Sequence, residues 1–250
     1  SSSSSVSSSS SSGSYGYTHV EPSYHGTYYA SISDTLRGSS LILSLDSLLD
    51  SDEYTGFSYT NMKNVFIYTD RDPNDSSRVL AFYSGTSTSA SGAFYTVLNR
   101  EHTWPDSRGG GLIDNDPHMV RPALVSENGS RGNSFYNASP TSWDPNSFGN
   151  EVYRGIAARI MFYCAVKGQE DGLNLVDLTT DDVGNLSMGK LSTLLLWNLQ
   201  YDIQETELIR NQELVDRWGH NRNPFIDDRN YACKIWGGTN ATTKSICGIA

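Results

Sequence analysis

At 250 residues the chain is long enough for one sizeable core, and its 37% hydrophobic content includes no apolar run of membrane-spanning length, so it reads as one soluble domain. A net charge of −10 and a pI near 4.8 disfavour nonspecific adhesion to nucleic acid or anionic membrane. A polyanion is expected to bind only where a metal ion or local arginines reverse the field.

Residues 1–14, SSSSSVSSSSSSGS, cannot build a core and are expected to be a flexible tether ahead of a single domain at 24–250. A serine tether suits an exported protein whose leader is not part of this sequence. In YHGTYYASISDTLRGSSLILSLDSLLD, Ile32 and Leu36 lie four apart, and Leu41, Leu45, Leu48 and Leu49 keep helical spacing. One or two helices, broken at Gly38, are predicted there. KNVFIYTD (63–70) and RVLAFYSG (78–85) are rich in Val, Ile, Phe and Tyr and predict strands. FYTVLNREHTW (94–104) predicts another, ended by Pro105, with a Gly- and Asp-rich loop after it from Asp106 to Asp116. PHMVRP (117–122) predicts a very short strand, because Pro122 forces Arg121 extended.

A short helix is expected to open in ENGSRGNSFYN (127–137), and from there the pattern is helical. EVYRGIAARIMFYCAVKG (151–168) carries Val152, Ile156, Ile160 and Tyr163 at helical spacing and stops at Gly168. KLSTLLLWNLQ and IQETELIRNQELVDRW predict two more helices, and NPFIDDRNYACKIWG a final short one. Grouped strands flanked by helices define an α+β class. Of the three cysteines, Cys164 reads as a buried small hydrophobe. Cys233 and Cys247 either bridge and pin the C-terminal tail or stay as thiols.

The chemistry concentrates in NREHTWPDS (99–107). A neutral imidazole at His102 can take a proton from water, and the Glu101 carboxylate beside it can hold a hard cation. Neighbours on a strand point to opposite faces, so the two meet in one site only where the strand ends, twists or bulges. Asparagine and glutamate oxygens suit Mg²⁺, Ca²⁺ or Mn²⁺ rather than zinc.

NREHTWP, D-x-H-M-V-R-P (116–122), N-x-S-R-G-N (128–133) and GHNRNPFID…IW (219–236), in this order, resemble the bacterial endonuclease I family of secreted nucleases. These belong to the ββα-metal, or His-Me finger, group, and the resemblance runs from YYASISDTLRGSSL to about Trp236. It implies an α+β fold around a strand–loop–strand–helix finger holding one divalent ion, with Mg²⁺ expected and Ca²⁺ or Mn²⁺ as alternatives. It implies cleavage of DNA, often of RNA too, with little sequence preference and 5′-phosphate products. His102 matches the general base, Glu101 one metal ligand, and Asn128 the other, with Asn133 as the alternative. Arg121 and Arg131 fall where basic residues hold the scissile phosphate, Arg121 as the catalytic one. His118 matches a histidine of the second strand with a structural or supporting role, grouped with the substrate-binding residues. Some relatives have a longer, cysteine-stapled loop that supplies a phosphate-binding arginine; here Arg108 replaces it or the contact is absent. Asn198 stands where relatives often have His. A secreted or surface-tethered bacterial monomer acting on DNA or RNA is expected; the alternatives are a catalytically silent adhesion module and an RNA-biased nuclease.

Overall fold

The computed structural model describes residues 16–91, 96–178 and 186–250. The tether predicted at 1–14, and Phe94 and Tyr95 of the third predicted strand, lie outside them. Helix α1 (Gly38–Ser51) begins at the glycine expected to interrupt it and buries Leu41, Leu45 and Leu49. KNVFIYTD is not a strand. After a 3₁₀ turn at Tyr59–Asn61 it forms helix α2 (Lys63–Thr69). Met62, Val65, Phe66 and Thr69 keep i, i+3, i+4, i+7 spacing and are all buried, so the helical period overrides the β-branched and aromatic composition.

RVLAFYSG is extended only in its first part. Strands β1 (Arg71–Asp72), β2 (Asp75–Leu80) and β3 (Ser87–Ser89) make an antiparallel sheet. Between β2 and β3 the chain turns at Tyr83, which has φ +85°, a left-handed value that a bulky residue seldom adopts. Phe82 bridges to Ala123 and its N–H donates to the Pro122 carbonyl at 2.7 Å, which brings this turn against the next hairpin.

That hairpin is β4 (Leu98–His102) paired antiparallel with β5 (Val120–Leu124), Glu101 opposite Arg121 and His102 opposite Val120. The intervening loop holds two 3₁₀ turns, Asp106–Arg108 and Gly110–Ile113. A Cβ on Gly110 would lie 1.9 Å from the Trp104 carbonyl oxygen, so only glycine lets the loop fold back onto the strand end. Helix α3 (Val125–Arg131) leads directly from β5 and packs on both strands.

In the second half α4 (Val152–Lys167) is buried without a break from Gly155 to Val166 and forms the centre of the core. It packs against α1 and, beyond a short parallel pair of β6 (Asn174–Leu175) and β7 (Ser187–Met188), against α5 (Leu191–Gln200). Arg159 of α4 is locked to Glu207 of α6 (Glu205–Trp218) by bonds of 2.6 and 2.7 Å. The last predicted helix is two, α7 (Pro224–Asp227) and α8 (Asn230–Trp236), because extended Asp228 interrupts it and accepts the Asn230 N–H at 2.9 Å. A further helix, α9 (Ala241–Cys247), starts from an Asn240–Thr243 capping box. Cys233 and Cys247 are bridged, with Cα atoms 5.6 Å apart, and closing so short a loop contributes about 3 kcal/mol in the chain-entropy picture. Cys164 is a buried free thiol. The class is α+β, and no described helix is long and apolar enough to cross a membrane.

Candidate active site

Strand alternation sorts the end of β4 into two faces. Asn99 and Glu101 face α3: Asn128 Nδ2 donates to Asn99 Oδ1 at 2.8 Å, and Arg131 Nη1 donates to Glu101 Oε1 at 3.1 Å. Arg100 and His102 instead meet Tyr59, with the guanidinium carbon 3.8 Å from the ring centroid and the imidazole centroid at 4.7 Å. Both faces nevertheless open onto one polar cavity of about 270 Å³, lined by Glu101, His102, Asn128 and Asn133 together with Tyr59, Asn99, Arg100 and Asp106. The pairing of β4 with β5 runs in regular register, so no bulge is involved. His102 is the last residue of the strand, and there the two faces converge.

Residues 103–110 fix the end of the strand. Thr103 Oγ1 donates to the Met119 carbonyl at 2.5 Å. Trp104 is fully buried and its Nε1 donates to the Arg108 carbonyl at 2.7 Å. The Pro105 carbonyl accepts the N–H groups of Arg108 and Gly110.

Glu101 is 1% exposed, and Tyr83 donates its hydroxyl to Oε1 at 2.6 Å. Burial pushes its carboxyl up to about 6, although the Arg131 charge and the Tyr83 bond pull the other way. The unusual backbone of Tyr83 aims that hydroxyl, and a sparsely populated φ held in place by its surroundings is characteristic of functional sites. For His102, burial lowers the pKa against the opposing pull of the Asp114 and Asp106 carboxylates. Its Nε2 is shut off from solvent and makes no hydrogen bond; Asp114 Oδ2 lies 3.6 Å away.

The other residues singled out from the sequence do not line this cavity. Arg131, 1% exposed, donates to the carbonyls of His102 (2.8 Å) and Thr103 (2.6 Å) and stacks over Tyr136, fastening α3 to the end of β4. Arg121 is paired with Asp70 at 2.9 Å and packs over Phe82. Arg108 is buried, donating to the Asn133 carbonyl at 2.8 Å with its guanidinium over Phe135. His118 is 1% exposed, with Nε2 on the Asn221 carbonyl at 2.9 Å. Asn198 is buried and donates to the Arg229 carbonyl, a packing role.

Sequence reasoning missed Tyr59, Tyr83, Asn99, Arg100 and Asp114. Asn99 and Arg100 were within reach, because alternation along NREH puts them on the faces of Glu101 and His102. Tyr59 and Tyr83 arrive from distant segments and carry no local signal.

Two oxygen donors fit a hard cation here: the Glu101 carboxylate, whose burial penalises its own charge, and the Asn128 amide, whose nitrogen is engaged by Asn99 while its oxygen remains an acceptor. Among the described residues no group of three or more His, Cys, Asp or Glu is arranged to hold a metal. Oxygen donors of this kind suit Mg²⁺, which keeps several waters and needs few protein ligands.

Comparison with known proteins places this scaffold among nucleases. The sequence profile of Endonuclease I matches residues 149–230, from just before α4 to the first residue of α8 and outside the cavity. The extracellular ribonuclease of Bacillus amyloliquefaciens is 36% identical over 233 residues, covering 84% of this chain and 78% of that protein. The extracellular ribonuclease of Bacillus subtilis (strain 168) is 33% identical over the same shares. The chain belongs to the endonuclease I family.

Proposed function

We propose that the protein is a divalent-metal-dependent endonuclease that hydrolyses phosphodiester bonds of RNA and DNA with little sequence preference, leaving 5′-phosphate ends, and that β4, β5 and α3 are its ββα-metal finger. The observation that carries this reading is the convergence of Glu101, His102 and Asn128 on one polar cavity at the end of β4. The names of the two Bacillus relatives favour RNA among the substrates and action outside the cell.

Glu101 and Asn128 would hold the cation; when bound it supplies Lewis-acid stabilisation of the charge that develops on the phosphate and the leaving oxygen. His102 is the base. Its Nε2 faces Asp114 away from solvent, so Nδ1 is the nitrogen that receives the proton from water. The Asp114 carboxylate favours the tautomer with the proton on Nε2 and steadies the imidazolium that forms. The oxygen of that water bonds to phosphorus, the bond to the 3′ oxygen breaks, and the 3′ oxygen leaves protonated by solvent. Because water rather than a ribose hydroxyl attacks, DNA and RNA both qualify. Tyr83, Asn99 and Arg131 hold the ligands and strand end in place, and Arg121, Arg108 and His118 serve the fold around them.

Incubating supercoiled plasmid and, separately, single-stranded RNA with Mg²⁺ and with a chelator tests this. The expected result is Mg²⁺-dependent cleavage of both, with ends that a ligase accepts as 5′-phosphates. Chelator-insensitive cleavage of RNA alone, with 2′,3′-cyclic phosphate products, would contradict it.

A further inference from the structure

We infer that Arg100 is the phosphate-contacting cation of this site, a role that rests on the nuclease reading. Among the described residues it is the one arginine or lysine lining the cavity, whose lining also includes the carboxylates Glu101 and Asp106. The chain as a whole carries −10, so a phosphodiester approaching this cavity meets a repulsive field except where a cation stands. The three arginines that the motifs would nominate lie outside the cavity lining: Arg121 is paired with Asp70, Arg108 is bonded to the Asn133 carbonyl, and Arg131 to the end of β4.

Arg100 is held for the task. Its Nη1 donates to the Tyr59 carbonyl at 2.6 Å, its guanidinium stacks on the Tyr59 ring at 3.8 Å, and the Tyr59 hydroxyl donates to the Arg100 carbonyl at 3.3 Å. A stacked, planar guanidinium loses little freedom on binding an anion, and its charge and N–H donors complement phosphate oxygens. Strand alternation sets Arg100 on the face of His102, so a phosphate gripped by Arg100 lies beside the imidazole that deprotonates the attacking water.

The test measures binding without cleavage, in a His102→Ala background with Mg²⁺, using a short fluorescein-labelled single-stranded oligonucleotide in DNA and RNA forms across a range of salt. Arg100→Ala is expected to weaken binding about tenfold or more, as for loss of a charge-assisted bond. It should also reduce the slope of log affinity against log salt by about 0.7, the value for one lost phosphate contact on a single strand. Arg100→Lys should restore most of the slope while recovering only part of the affinity, which a purely structural role would not produce. Arg100→Gln keeps a donor for the Tyr59 carbonyl and replaces the alanine variant if that one unfolds. A folded Arg100→Ala or Arg100→Gln protein with unchanged affinity and slope overturns the inference. If wild type cleaves and His102→Ala does not, that failure is confined to Arg100; a wild type that cleaves nothing sinks the nuclease reading instead.

Discussion

His102 and His118 belong to the same hairpin, one closing β4 and the other just ahead of β5, and each has a carboxylate for a neighbour. Their surroundings diverge. The His102 side chain is 18% exposed at a cavity wall, leaning on Tyr59, with Asp114 3.6 Å from Nε2. His118 is sealed. Its ring packs on Tyr163 and stacks on His220, its Nε2 is bonded to the Asn221 carbonyl, and its backbone N–H donates to Asp116. Asp116 in turn accepts the Tyr163 hydroxyl at 2.5 Å. Burial drives the His118 pKa down to about 3, and Asp116 is held far below the usual carboxylate range by His220 and its other partners despite its own burial. The same residue type thus borders a polar cavity at one end of the hairpin and is packed among aromatic rings and backbone groups at the other.

The sharpest way to break this contrast is at the ligands. Glu101→Ala and Asn128→Ala should each weaken Mg²⁺ binding by calorimetry about tenfold or more and remove most metal-dependent cleavage, with the fold retained. Full activity in Asn128→Ala together with its loss in Asn133→Ala would transfer the ligand role to Asn133, which lines the same cavity but is exposed beyond the end of α3.

A smaller effect of a different kind belongs to the sealed histidine. His118→Ala leaves the Asn221 carbonyl without its partner, and denaturant titration should show a loss of about 1–3 kcal/mol. Turnover per folded molecule should stay at the wild-type value, and a large fall in kcat without a fall in stability would erase the distinction.

Acid separates the regions by sign. Unfolded histidine titrates near ~6.5 and folded His118 near about 3, so the unfolded chain takes up the proton first. Its contribution to stability is complete above ~6.5 and is lost as pH falls toward 3. Glu101 runs the other way in the metal-free protein: its folded pKa of about 6 exceeds the unfolded ~4.3, so its contribution is present below ~4.3 and disappears as pH rises through 6. The proton gained by Glu101 competes with the cation, so Mg²⁺ affinity should fall below about pH 6 in wild type. Calorimetric titrations across this range check the affinity, and denaturation of Glu101→Gln beside wild type isolates the stability term.

The sequence carried the β4–β5–α3 unit because its punctuation is strong: Pro105 after the strand, Pro122 inside its partner, and glycines at the loop and at the end of α3. Helices α4, α5 and α6 were equally plain from spacing. The region at 63–70 misled because its β-branched and aromatic residues masked a helical period that Met62, Val65, Phe66 and Thr69 in fact keep. Helix α9 has its own local signal in Asn240, Thr243 and Gly248, a capping box and a left-handed stop, which apolar periodicity alone does not reveal. At the site, the adjacency of Glu101 and His102 was legible, and so was a strand ending as one geometric reason for it. The arginines were harder. A guanidinium in sequence does not disclose whether carbonyls or carboxylates of the same chain will claim it, and Arg108, Arg121 and Arg131 are all claimed. Tyr59 and Tyr83 belong to the site only because the chain folds back from separate elements.

Chemical rescue at His102 tests the central claim most directly. His102→Ala should bind Mg²⁺ as wild type does but turn over nucleic acid about 10²–10⁴-fold more slowly, the usual contribution of a general base. Added imidazole, at saturating Mg²⁺, should restore part of that loss, increasingly as pH rises through its own pKa, and should do nothing for Glu101→Ala. A folded, Mg²⁺-binding His102→Ala protein that cleaves at the wild-type rate without imidazole would contradict the account.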